Sequence, residues 1–315
     1  MIPIIIVHIG NSYYLKAVIK QAKIYNPTTP IYLISDKSTK KMAAGLCNHI
    51  PIENFQISAE HFKEIYKHRS SNNYNFELFC FQRWFIIQDF VTRNEINRFV
   101  CIDSDFLLFD NVDTFLSPFF NYDFTICGSC LPNCSMFTKT TIIKFCDFIK
   151  RMYTDQQMDK ELLQEYENFK KSGELGGICD MTAFTWYQKY YPGTVKNLTI
   201  PYNGKAVDDC YYMSSGYKID QRNKQLVMNR IPKLIIWENN LPYGIYIKTN
   251  EKIRFSGIHL QGGAKRKIYK FIVNENKERK KGLFNFLIWN FGPSTIKYRI
   301  KRIINKFNLT IGKRK

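Results

Sequence analysis

The sequence predicts an α/β protein: a central, mainly parallel sheet flanked by helices, with a basic amphipathic tail behind it. Three observations predict this. The opening segment alternates a β-branched run, an amphipathic stretch and a second apolar run, the signature of a β-α-β start. A chain of 315 residues that is 45% hydrophobic and 23% charged can bury one generous core or two small ones. A further apolar run at 98–102 ends in an acidic motif, and open α/β sheets bind ligands at the carboxyl ends of their strands.

Residues 4–9 form a short β-branched run, as expected of a parallel strand buried on both faces. Gly10-Asn11-Ser12 breaks it, and 14–25 carries Leu15, Val18, Ile19 and Ala22 at helical spacing before Asn26-Pro27 ends the helix. Residues 30–34 read as a second strand, ending at Ser35-Asp36. A helix is expected over 77–91 with Arg83 and Trp84 in its middle, then a strand over 98–102. Short strands follow at 124–127 and 135–137, and a helix at 140–153. The charged stretch 155–171 reads as a solvated helix, and 173–177 as a glycine-rich break. A late strand at 253–258 delivers His259.

Two motifs carry chemistry. Asp103-Ser104-Asp105 places two carboxylates at the end of an apolar strand, where they need a cation or hydrogen-bond donors. Mg²⁺ and Mn²⁺ take such hard oxygen ligands and keep positions open for substrate phosphates. His259-Leu260-Gln261-Gly262-Gly263-Ala264-Lys265 brings an imidazole that can ligate metal, a glycine whose backbone can approach phosphate, and a lysine point charge. Read alone, the second motif is better taken as a surface Gly-Gly turn with a chance histidine nearby. Cys127 and Cys130, with Cys134 beyond, lack the second close cysteine pair of a structural zinc site.

Together these motifs resemble the GT-A glycosyltransferases, especially the retaining family 8 that includes glycogenin and bacterial lipooligosaccharide galactosyltransferases. That family pairs an Asp-x-Asp with a late His-x-x-Gly-x-x-Lys, matched here by Asp103 and Asp105 and by His259, Gly262 and Lys265. The resemblance implies a Rossmann-like GT-A fold over 1–270. It implies Mn²⁺ (or Mg²⁺) held by Asp103, Asp105 and His259, with Ser104 beside the donor and Gly262 and Lys265 on its diphosphate. Arg83 resembles the family's arginine bracing donor and aspartates, and is equally a surface salt bridge. Asn133 resembles its asparagine that meets the donor sugar. Where the family carries an acidic residue near the nucleobase, His8-Ile9-Gly10-Asn11 stands here, making His8 and Asn11 the donor-binding candidates. Asp180 takes the place beside the reacting sugar, as stabiliser, hydroxyl ligand or base, or else it caps the helix at 181–187. Arg266-Lys267 replaces the Pro-Trp that usually follows the family's lysine.

The resemblance implies transfer of a hexose, from UDP-hexose, to an acceptor hydroxyl on a glycan or glycolipid. Two rivals are a non-catalytic membrane-docked scaffold and a sugar nucleotidyltransferase. The latter's Gly-rich, basic loop is missing after the first strand. The net charge of +19 is concentrated in the tail: 265–315 holds 16 Lys and Arg against 2 Glu, leaving 30 basic and 25 acidic residues elsewhere. That split argues against a nucleic-acid binder. In the tail, 271–315, an apolar face of Ile296, Ile300, Ile303, Ile304 and Phe307 flanked by basic residues fits an anionic membrane surface, contacted through 283–307. No apolar run reaches roughly 18 residues, the length of a membrane span. The apolar start lacks a signal peptide's basic leader, and nine cysteines within largely apolar segments fit reduced thiols. The expectation is a cytoplasmic protein, peripheral on the membrane.

Overall fold

The computed structural model describes residues 1–173, 175–223 and 231–272. The membrane-facing segment expected at 283–307 lies outside the described residues. The first part of the chain builds β1 (Ile4–His8), α1 (Leu15–Tyr25), β2 (Ile31–Ser35), α2 (Lys40–Ala43), β3 (Asn48–Pro51), α3 (Ile57–Ile65) and α4 (Tyr74–Arg93). Then come β4 (Arg98–Ile102), β5 (Phe106–Leu108), α5 (Val112–Leu116), β6 (Phe124–Ile126), β7 (Cys134–Thr138), α6 (Lys139–Thr154), α7 (Gln156–Ser172) and α8 (Asp180–Tyr190). The remainder is β8 (Val195–Asn197), β9 (Lys205–Val207), β10 (Ile236–Glu238), β11 (Leu241–Ile245), β12 (Lys252–His259) and α9 (Ile268–Phe271).

Seven strands form the main sheet in the order β3-β2-β1-β4-β7-β6-β8. All neighbours are parallel except β7, which runs antiparallel to both β4 and β6. The mainly parallel α/β architecture expected from the sequence is therefore observed. The β-branched run of β1 alternates its sides, as strand geometry requires. Ile5 joins Ile34, Phe99 and Cys101 in a core with α3, α4, α6 and α8. Ile4 and Ile6 join Leu33, Val100 and Ile102 in a second core with α1 and α5. The first core is rich in rings, with Phe124 stacked on Phe137 at 4.8 Å and Phe145 tilted against Phe184 at 4.4 Å. Truncating one such ring to Ala costs about 3–5 kcal/mol. Helix α7 is capped by Asp155 and ends at Gly173 in the left-handed region (φ 71°). It buries only Met158 and Leu162, as a solvated helix does. Among the described residues no helix is long and apolar enough to cross a membrane.

The sequence reading did not foresee the second sheet, in which β10, β11, β12 and β5 pair antiparallel and β9 lies parallel on β12. Most of its strands are three to five residues long, too short for a periodic signal. This sheet positions the site. β5 begins directly after Asp105 and pairs with the end of β12, in register His259 to Phe106 and Gly257 to Leu108. Gly257 permits that closeness, because a Cβ there would come within 2.1 Å of the Phe106 ring.

Candidate active site

Strands β1 and β4 are neighbours, and the chain leaves them toward opposite edges of the sheet, the topological switch point where ligands bind. Their carboxyl ends present His8 and the Asp103-Ser104-Asp105 turn. The turn is pinned by Asp103 N–H to the Asn133 carbonyl at 3.1 Å, Phe106 N–H to the Asp103 carbonyl at 3.0 Å, and Leu260 N–H to the Asp105 carbonyl at 3.0 Å.

Because β12 is zipped to β5, His259 arrives beside both aspartates. Its Nε2 lies 3.2 Å from Asp105 Oδ1 and 3.7 Å from Asp103 Oδ2. Its Nδ1 is 2.6 Å from the Asp209 carbonyl and donates to it, so Nε2 is the atom facing the carboxylates. One ligand atom from each of Asp103, Asp105 and His259 lies within 4.8 Å of the others, and this is the one such ligand cluster among the described residues. Two hard oxygens and an imidazole nitrogen, oriented from behind by a carbonyl, could hold a divalent metal ion. Burial opposes charge on His259, but Asp105 and Asp103 prevail and raise the imidazole to about 9. Burial also opposes charge on Asp105, yet His259 and Lys265 hold it well below the usual carboxylate range.

Lys265 returns from the turn after β12, its Nζ 3.1 Å from Asp105 Oδ2 and 5.2 Å from the centre of the Tyr14 ring. Gly262 opens that turn at φ 58°, a left-handed conformation suited to glycine. Arg83, from the middle of α4, spans two carboxylates: Nη1 to Asp103 Oδ1 at 2.8 Å and Nη2 to Asp180 Oδ2 at 2.7 Å. It is a mostly buried bridge across the site, so the surface salt-bridge alternative is set aside. Asp180 Oδ2 also accepts from the Trp84 indole at 3.1 Å. The reading of Asp180 as a helix cap needs correction. Cys179 occupies the cap position and exchanges hydrogen bonds with Thr182, while Asp180 is the first helical residue, buried and turned to Arg83.

Asn133 is fully buried; its Nδ2 donates to the Asp209 carbonyl at 3.0 Å, and its Oδ1 has no partner among the described residues. His8 Nδ1 lies 3.0 Å from Ser104 Oγ, while its buried Nε2 has no partner among the described residues. Burial, helped by Lys265, lowers the His8 pKa. Asn11 stands apart, exposed on the loop after β1. In that loop the Gly10 N–H donates to Asp36 Oδ2 at 2.5 Å. Sequence reasoning missed Asp36, Trp84 and Tyr14, and it missed a buried group behind His259 formed by Asp208, Asp209 and Lys233. The acidic pair inside the apolar run Ala206-Val207-Asp208-Asp209-Cys210-Tyr211 was the available signal for that group. Cys127, Cys130 and Cys134 are free thiols.

No protein-family model matches this sequence, and no curated protein does. Among solved structures, the chain is similar to mouse xyloside xylosyltransferase 1, with 12% identity over 65% of this chain and 87% of that one and a TM-score of 0.47. It is also similar to the galactosyltransferase LgtC in complex with donor and acceptor sugar analogs, with 10% identity over 89% of this chain and all 100% of that one and a TM-score of 0.46. A third is the bifunctional glycosyltransferase WbbM, with 11% identity over 89% of this chain and 50% of that one and a TM-score of 0.44.

Proposed function

We propose that the protein is a metal-dependent glycosyltransferase that moves a hexose from a nucleoside diphosphate sugar, UDP-hexose, to an acceptor hydroxyl. The observation that carries this reading is the convergence of Asp103, Asp105 and His259 at the switch point of the sheet, with Lys265 on the same carboxylate. Asp103, Asp105 and His259 would hold Mn²⁺ or Mg²⁺, which when bound neutralises charge on the departing diphosphate. Lys265 adds a positive charge to the same leaving group, and the left-handed turn at Gly262 brings backbone close to it. The unpartnered Nε2 of His8 and the hydroxyl of Ser104 face the nucleotide side, with Asn11 at its rim.

The sugar occupies the space between Arg83, Asn133 and Asp180. Arg83 and Trp84 occupy Asp180 Oδ2, leaving Oδ1 for a sugar hydroxyl or for positive charge developing at the anomeric carbon. Asn133 Oδ1, buried and unpartnered, is a second acceptor for a donor hydroxyl. Retention of anomeric configuration, a glycan or glycolipid acceptor, and docking of 283–307 on an anionic membrane belong to the same proposal. They rest on the sequence motifs and the basic tail.

The test is nucleotide release from a panel of sugar nucleotides with and without Mn²⁺, since donor hydrolysis needs no known acceptor. Metal-dependent release from one donor is the expected result. A scan of melting temperature with UDP and Mn²⁺, separately and together, runs beside it, because bound ligand raises stability. No release and no stabilisation at saturating ligand would leave the scaffold reading in its place.

A further inference from the structure

Behind His259, on the side away from Asp103 and Asp105, lies a sealed group of charges. Asp208, Asp209 and Lys233 are all buried. Lys233 Nζ contacts Asp208 Oδ1 and lies 3.0 Å from Asp209 Oδ1. The remaining contacts aim the same short segment at His259. Asp208 Oδ2 accepts the His259 backbone N–H at 3.2 Å, and the Asp209 carbonyl accepts His259 Nδ1–H at 2.6 Å. Ser215 Oγ donates to Asp209 Oδ2 at 2.6 Å, and Asn133 Nδ2 donates to the Asp209 carbonyl at 3.0 Å. Two adjacent carboxylates away from water repel each other, and the segment carrying them stays in place only if a cation is built in.

We infer that Lys233 is a positioning residue: by drawing the Asp208 and Asp209 carboxylates together, it holds the Asp209 carbonyl on His259 Nδ1 and so keeps Nε2 turned toward Asp103 and Asp105. The inference rests on the metal-site reading for its purpose, but its geometry is measurable without metal. Lys233 touches neither of the two aspartates at the cleft, and it acts through His259. Outer partners of this kind change metal affinity by about 10- to 100-fold when removed.

The test uses the full chain with ¹⁵N-labelled histidine. In the wild type, the His259 Nδ1–H proton is expected as a downfield, slowly exchanging resonance, assigned by its loss in His259→Gln. Lys233→Met together with Asp208→Asn removes one charge of each sign, so this pair preserves folding better than Lys233→Met alone. In the folded double variant the resonance should be lost or exchange rapidly, and Mn²⁺ affinity, read from the electron paramagnetic resonance of the free ion, should fall 10- to 100-fold. Lys233→Arg should restore both. A folded double variant with the protected resonance and unchanged Mn²⁺ affinity overturns the inference, as does a wild type lacking that resonance. A wild type that has the resonance but binds no Mn²⁺ defeats the metal reading, and the resonance in the variants then decides the role of Lys233.

Discussion

Two pairs of aspartates flank His259, one in front of its Nε2 and one behind its Nδ1, and they handle their charge differently. Asp103 and Asp105, which the proposed function places at the cleft, differ between themselves: the Asp103 side chain keeps 24% of its surface exposed, while Asp105 is buried. Asp208 and Asp209 are sealed, at 0% and 4%. The sealed pair has its cation built into the chain as Lys233. The cleft pair is held by side chains reaching in from elsewhere, Arg83 on Asp103 and Lys265 on Asp105. A fixed cation makes a scaffold, whereas an open carboxylate pair can take a mobile cation and its anionic ligand. Under the proposed function the same residue type serves structure in one place and chemistry in the other, and the exposure of Asp103 makes the difference.

Breaking the sealed pair should have the largest effect on folding. Lys233→Met leaves two buried carboxylates without compensation and is expected to lower unfolding free energy by about 3–5 kcal/mol, measured by urea denaturation. Asp105→Ala should instead spare most of the stability and lower kcat/KM for nucleotide release by roughly 100- to 1000-fold, about 3–4 kcal/mol of transition-state stabilisation. It should also abolish the extra stabilisation that Mn²⁺ gives with UDP. Equal losses of stability in the two variants would erase the distinction.

The cleft pair also predicts a pH response, through the histidine it faces. His259 is raised from 6.5 to about 9 by the aspartates it faces, so its charge stabilises the metal-free fold below pH 6.5. That contribution declines as pH rises through about 9. Metal requires the neutral imidazole, so Mn²⁺ affinity should rise over the same window by up to about tenfold per pH unit, with release of a proton on binding. Calorimetry in buffers of different ionisation enthalpy checks this. The smallest effect is expected at Trp84→Phe, which removes one of the two donors on Asp180 Oδ2 but keeps Arg83. A loss of roughly fivefold in kcat, about 1 kcal/mol, should appear in the same release assay.

Much of this was legible in the chain. The alternation around β1, α1 and β2 follows from local spacing, and so does the strand ahead of Asp103-Ser104-Asp105. The spacing of His259, Gly262 and Lys265 is local too, but alone it reads as a surface turn, and its pairing with Asp103-Ser104-Asp105 singled it out. The second sheet was not legible, since strands of three residues carry no period. Nor did spacing reveal that Asp180 would be the first residue of α8, with Cys179 at the cap.

By itself the sequence determined the class of sheet, the strand ends that carry the acidic and histidine motifs, and the residue types available there. Tertiary structure alone decided which nitrogen of His259 faces the aspartates, which two carboxylates Arg83 joins, and that Lys233 would bridge Asp208 and Asp209. The reason is physical. These contacts join residues up to 156 positions apart, and those of His259 depend on the register of β12 against β5 to within one residue, because a shift of one would turn His259 to the opposite face.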